Sequence, residues 1–193
     1  MKSFLCALAL IVATPCFGQQ AVPSWDVYAG YSFERANVRH YFKSTPTLYA
    51  IRDQAANLHG LELSVTENSS RWFGGTVNLS IHANSPEMRG TTNHERIVSI
   101  MYGPRFSYRT PSFVPFAQVL AGATHADVKV TQPGPHASDW SFGTGVGGGL
   151  DLTIGSKAAI RLIQADYIRT GALGSGRNNY RASLGIVFYV GRR

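Results

Sequence analysis

The chain reads as all-β: an eight-stranded antiparallel up-and-down β-barrel that spans a membrane. Apolar and polar residues alternate with period two over most of its length, which marks strands with two unlike faces. The connections between these segments switch between short and long, the pattern of a membrane barrel. Of 193 residues, 44% are hydrophobic and only 15% are charged, where about 25% charge is usual for a soluble domain. So little charge, with 20 glycines and 11% aromatics, suits a wall that faces something other than water. The length fits one domain. A mean hydropathy near zero excludes a bundle of helical spans.

Residues 1–18 read as a secretory signal peptide. Lys2 supplies the basic start, 4–13 is apolar, Pro15 closes the run, and Cys16 and Gly18 put small residues at −3 and −1. The run is shorter than the ~20 residues of a helical span. Pro15 disfavours lipidation at Cys16. The barrel domain is then 19–193. Cleavage removes Cys6 and Cys16, which excludes disulfides, zinc thiolates and cysteine nucleophiles. It also removes Lys2, so the net charge falls from +7 to +6. A basic exported chain is suited to an anionic glycolipid or polymer rather than nucleic acid. No later apolar run reaches helical-span length, so membrane entry requires strands closed into a barrel.

The first strand begins at Trp25, with Val27, Ala29, Tyr31 and Phe33 on one face and Asp26, Tyr28, Gly30 and Ser32 on the other. The second, 58–66, sets Leu61, Leu63 and Val65 against Gly60, Glu62 and Ser64. The third, 72–82, sets Phe73, Val77, Leu79 and Ile81 against Thr76, Asn78, Ser80 and His82. In the fourth, 95–108, Val98, Ile100, Tyr102, Phe106 and Tyr108 oppose Ser99, Gly103 and Arg105. The fifth, 113–125, tolerates Pro115 near its start. The sixth, 140–154, has Trp140, Phe142, Val146, Leu150, Leu152 and Ile154 on one face. Its other face holds Asp151, Thr153 and inward glycines from 143 to 149, which relieve crowding. This glycine run lies mid-strand without Lys-Ser/Thr and is no phosphate loop. The seventh, 158–170, is ambiguous. With Gln164 and Asp166 inward, Arg161 points outward and snorkels, although a bulge would change that answer. The eighth carries Tyr180, Ala182, Leu184, Ile186 and Phe188 outward and Arg181, Ser183 and Gly185 inward.

Turns at 67–71, 109–112 and 155–157 are short, and loops near 34–57, 83–94, 126–138 and 171–177 are longer. Strands of ten or more residues match the ~9–11 needed for a tilted crossing. A soluble sandwich or periplasmic barrel would instead bury the apolar faces. This pattern resembles the OmpA-like and OmpX-like eight-stranded outer-membrane barrels over the whole mature chain. The last strand is similar to the signal read by the barrel-assembly machinery, with Ser183, Gly185 and Phe188 at its polar, glycine and aromatic positions. Val190 replaces the final aromatic, and Gly191, Arg192 and Arg193 follow. The resemblance implies residence in the outer membrane among its lipids and lipopolysaccharide.

A small barrel fills its interior with side chains. The inward polar set is Asp26, Glu62, Arg105, Asp151, Asp166 and Arg181. A hairpin centred between Leu173 and Gly174 sets Asp166 opposite Arg181, so these two should pair. The set reads as a structural polar plug, with a narrow ion path as the sharper alternative. His40, His59, His82, His94, His125 and His136 map to loops or the strand ends beside them and form a polar rim, without a metal-ligand spacing. Loop 34–57 carries Glu34, Arg35, Arg39, Lys43, Arg52 and Asp53, a balance of +2 suited to lipopolysaccharide phosphates. An enzymatic alternative is a lipid A hydrolase of the PagL type, an eight-stranded barrel that uses Ser and His on its outer wall. Ser80 and His82 are both present but read inward. No catalytic, cofactor or metal residue is assigned, and the expected role is non-enzymatic: structural or surface interaction.

Overall fold

The computed structural model describes residues 22–43, 49–85, 87–88, 91–130, 135–171 and 176–191. Eight long strands make the wall: β1 (Trp25–Lys43), β2 (Tyr49–Asn68), β3 (Phe73–Asn84), β5 (Thr91–Ser107), β6 (Phe113–Val130), β7 (His136–Thr153), β8 (Ala158–Thr170) and β9 (Arg177–Val190). The two-residue β4 (Glu87–Met88) only flanks the start of β5. Each wall strand pairs antiparallel with the next, and β1 pairs with β9 to close the sheet. Within the stretch that all eight strands share, closure leaves no exposed edge, the condition for strands in lipid.

Alternation decides which way each side chain points. Leu61, Leu63, Val77, Leu79, Ile81, Ile100, Val119, Val146, Leu184 and Ile186 all face outward and stay exposed. Trp25, Trp72, Tyr108 and Phe113 ring the end with the short turns, and Tyr31, Trp140, Phe142 and Tyr180 lie towards the other. Trp72 stacks on Phe106 at 6.0 Å. An apolar belt between two aromatic girdles is the lipid-facing surface of a membrane barrel. Gly30 and Gly185 face each other in register where β1 meets β9. A Cβ on Gly185 would lie 2.4 Å from the Gly30 Cα.

Two expectations are corrected. The segment 34–57 is mostly strand: β1 and β2 run 19 and 20 residues, and their ladder continues from Glu34↔Leu58 to Lys43↔Tyr49. Much of 83–94 and 126–138 is likewise strand. These arms continue because they have something to bury. Ala36, Val38, Tyr41, Ala56, Leu58, Ile97, Val128 and Val130 form an apolar cluster inside the outer end of the barrel. Outside it stand exposed Arg35, Asn37, Asn57, Arg96 and Lys129. The faces have therefore exchanged character: polar inside and apolar outside within the belt, the reverse beyond it.

The second correction concerns Arg161, expected outward. It points inward and is 1% exposed. A bulge between Arg161 and Gln164 turns Leu162 and Ile163 outward in succession, so Arg161, Gln164 and Asp166 all enter the lumen. The β7–β8 ladder also shifts register between Leu150 and Asp151.

Candidate functional site

The lumen is built in layers from the short-turn end. At the mouth, Arg109 Nη2 donates to Asp26 Oδ2 at 2.6 Å and to Asn68 Oδ1 at 2.9 Å. Asn68 Nδ2 in turn donates to Asp26 Oδ1 and to the Pro23 carbonyl. Above them Asp151 takes two cations. Arg161 Nε donates to its Oδ1 at 2.7 Å, and Arg105 Nη2 to its Oδ2 at 3.1 Å. Both guanidiniums lie over the Phe116 ring, at 3.7 Å for Arg105 and 4.4 Å for Arg161. Cation–π contacts of this kind gain strength when desolvated.

The next layer centres on Asp166 and Arg181, which stand directly opposite across the β8–β9 ladder, as the hairpin centre predicts. Arg181 Nη2 lies 2.8 Å from Asp166 Oδ2. Arg181 Nη1 donates to Asn78 and Ser80. Gln118 donates to Asp166, and Gln164 to both Asp166 and Glu62. Glu62 also accepts from Asn78 at 2.6 Å and Ser183 at 2.7 Å. Arg161 donates to Gln164 Oε1 at 2.6 Å, which joins this layer to the one below. Gly147 makes room for it: a Cβ there would lie 2.0 Å from Asp166 Oδ1.

A fourth layer holds His82 between Glu34, 3.0 Å away, and Ser32, 2.9 Å away. Asn179 donates to the other oxygen of Glu34. Above it sits the apolar cluster. The six residues expected inside are all there and all at most 4% exposed. Glu34, Glu95, Arg109, Arg161 and Arg177, not expected there, share the interior, as does His82, which strand parity turns inward. Parity alone would have found Glu34, had β1 been carried past Phe33.

The histidine rim needs correction at His82, which is wholly buried in the lumen. The His40 side chain lies outside the described residues. The other four are on strands. His59 meets Tyr31, His94 meets Ser85 at 2.9 Å, His125 meets Ser138 at 3.2 Å, and His136 meets Asp127 at 2.6 Å. No group of three metal-ligating side chains converges among the described residues. Ser80 and His82 point inward, and His82 bonds Ser32 instead. Besides His94 with Ser85, a second exposed Ser–His contact joins His125 to Ser138. It was missed because it depends on the β6–β7 register, which sets Asp127 against Ser138. Within the last strand, Ser183 faces the lumen and Phe188 faces out, half exposed.

A closed barrel with a lipid-facing belt, aromatic girdles and a charged, filled lumen is an eight-stranded outer-membrane β-barrel, and the outer membrane is its location. Solved structures show the same fold. Neisserial surface protein A (NspA) superposes with a TM-score of 0.65 at 15% identity, over 89% of this chain and 99% of that one. Ail, the attachment invasion locus protein of Yersinia pestis, solved in complex with the heparin analogue sucrose octasulfate, gives 0.58 at 15% identity over 86% and 98%. The outer membrane protein OprG from Pseudomonas aeruginosa gives 0.52 at 10% over 88% and 96%. No protein-family model matches the sequence, and no curated protein matches it significantly.

Proposed function

We propose that the protein is a non-enzymatic outer-membrane barrel with a structural or surface-interaction role. The observation that carries this reading is the sealed interior. From Asp26 to His82 the lumen is crossed by hydrogen-bonded charges, and an apolar cluster closes it above. On this reading such a core stiffens the wall and blocks aqueous passage, so the work falls to the outer wall and rim. Arg35, Arg96, Lys129 and Arg169 face outward there. Guanidinium and ammonium groups at that level suit the phosphates of lipopolysaccharide. The sulfated polyanion bound by Ail, a barrel of the same fold, supports a basic rim as a polyanion surface. The Ser183–Phe188 segment serves the assembly machinery on this reading.

The His125–Ser138 contact favours a second reading, a lipid hydrolase. Its weakness is the acid: Asp127 pairs with His136 rather than His125. One reconstitution tests both. Purified protein in bilayers containing lipid A should show no conductance steps and release no fatty acid. Steady conductance, or release that Ser138→Ala abolishes, would overturn the proposal.

A further inference from the structure

The lipid-facing wall is not uniformly convex. A groove of about 530 Å³ opens on β1, β9, β8 and β7. Its floor is Ala182 and Ala165, which pair across β9 and β8, and Phe33 closes one end in the same row. Tyr180, Tyr167 and Val146 form the row on the outer side, with Arg35 in register beside Tyr180. Tyr167 is held upright by its hydroxyl, which donates to Asn178 Oδ1 at 2.9 Å, and by the Tyr180 ring at 5.5 Å.

Two cations stand on the outward side of this groove: Arg35 lines it, and Arg169 lies beyond it with its guanidinium beside Gly176. Arg35 is exposed on β1, and Arg169 is exposed two residues beyond Tyr167 on β8. With β9 between them, their strands are about 10 Å apart. Neither has an ion pair or hydrogen bond among the described residues. No carboxylate faces outward among the described residues of β1, β8 or β9: Asp26, Glu34 and Asp166 all point into the lumen. A guanidinium at an aromatic girdle needs an anion, and phosphate oxygens match its fork.

The end bearing these arginines carries the long hairpins, which is the outward end of such barrels. We infer that this groove is a binding site for one phosphate-bearing, acylated glycolipid of the outer leaflet. An acyl chain lies along Ala165 and Ala182 between the aromatic walls, and the phosphorylated headgroup is held by Arg35 and Arg169. The site rests on the outer-membrane surface role proposed above and gives that role a named lipid class.

Native mass spectrometry in detergent micelles tests it, with bisphosphorylated lipid A, dephosphorylated lipid A and phosphatidylglycerol as probes. The wild-type barrel should retain one bisphosphorylated lipid A. The R35Q/R169Q double variant removes the cations and keeps the groove. Ala182→Phe fills the groove and keeps the cations. Each should weaken retention about tenfold or more, the double variant through one or two lost charge-assisted contacts and Ala182→Phe by excluding the acyl chain. Ala121→Phe, on the outer face of β6, should leave it unchanged. Wild-type retention in both groove variants would overturn the site, and equal retention of phosphatidylglycerol would overturn the glycolipid. Heat-modifiable migration checks that each variant is folded. A wild-type chain absent from the outer-membrane fraction would instead count against the parent reading.

Discussion

Arg181 ties its own strand to three others, touching Asp166 on β8, Glu62 on β2, and Asn78 and Ser80 on β3. Its side chain is wholly buried, so its removal leaves Asp166 and Glu62 as uncompensated carboxylates in a low-dielectric core. Breaking one side of a buried pair costs about 3–5 kcal/mol. Arg181→Met, which keeps most of the stem, should therefore lower unfolding stability by about that much, measured by urea titration of the barrel in lipid vesicles. Asp166→Asn is milder. Arg181 then still faces Glu62 at 3.6 Å, and the amide can still meet Gln118 and Gln164. Its expected cost is about 1–3 kcal/mol, that of disturbed buried hydrogen bonds. If Arg181→Met costs no more than the lipid-facing truncation Val146→Ala, the lumen is not held by its ion pairs.

At the scale of the strand, the bulge in β8 decides the composition of the core. Without it, Ala159 and Arg161 would exchange faces with Ile160 and Leu162, and Asp151 would lose its closest partner. Deleting Ile163 should thus prevent the compact, heat-modifiable form on refolding into micelles, while Ile163→Ala should retain it, since that side chain only meets lipid. A deletion variant that refolds with wild-type mobility would show that the bulge is dispensable. The bulge also marks where sequence reading stops. Strand number, wall faces and the Asp166–Arg181 pairing were legible because period two and a hairpin centre are local quantities. A bulge inserts one residue with no side-chain signature, so Arg161 came out on the wrong face. The outer arms were lost for a different reason: the polarity of the two faces reverses there. Ala36, Val38 and Ala56 look like loop residues until Ile97 and Val128 are seen packed against them. The His125–Ser138 contact and the lipid-facing groove join residues on different strands, which only the ladder registers bring together.

The whole barrel is a single sheet in two solvents. Within the belt it excludes water from charges by pairing them. Beyond the belt it behaves as a small water-soluble barrel with an apolar core and a polar skin. Stability should then divide along the axis, since cooperative units open separately when their cores are distinct. Leu58 is wholly buried in the outer cluster, at its border with the His82 layer, where it stands opposite Glu34. Leu58→Ala leaves a cavity there, which costs about 2–5 kcal/mol. The loss should fall on the outer arms of β1, β2, β5 and β6. Limited proteolysis of the reconstituted variant should cut those arms much faster than in wild type and leave a protected, membrane-embedded remainder. Bilayer conductance should stay at background, because Arg181, Asp166, Arg161 and Asp151 still block the lumen beneath the loosened cap. Digestion at the wild-type rate would mean the arms do not depend on this cluster. Loss of the protected remainder would mean the two halves fold as one unit, and open-channel steps would mean the cap, rather than the charged layers, is what seals the barrel.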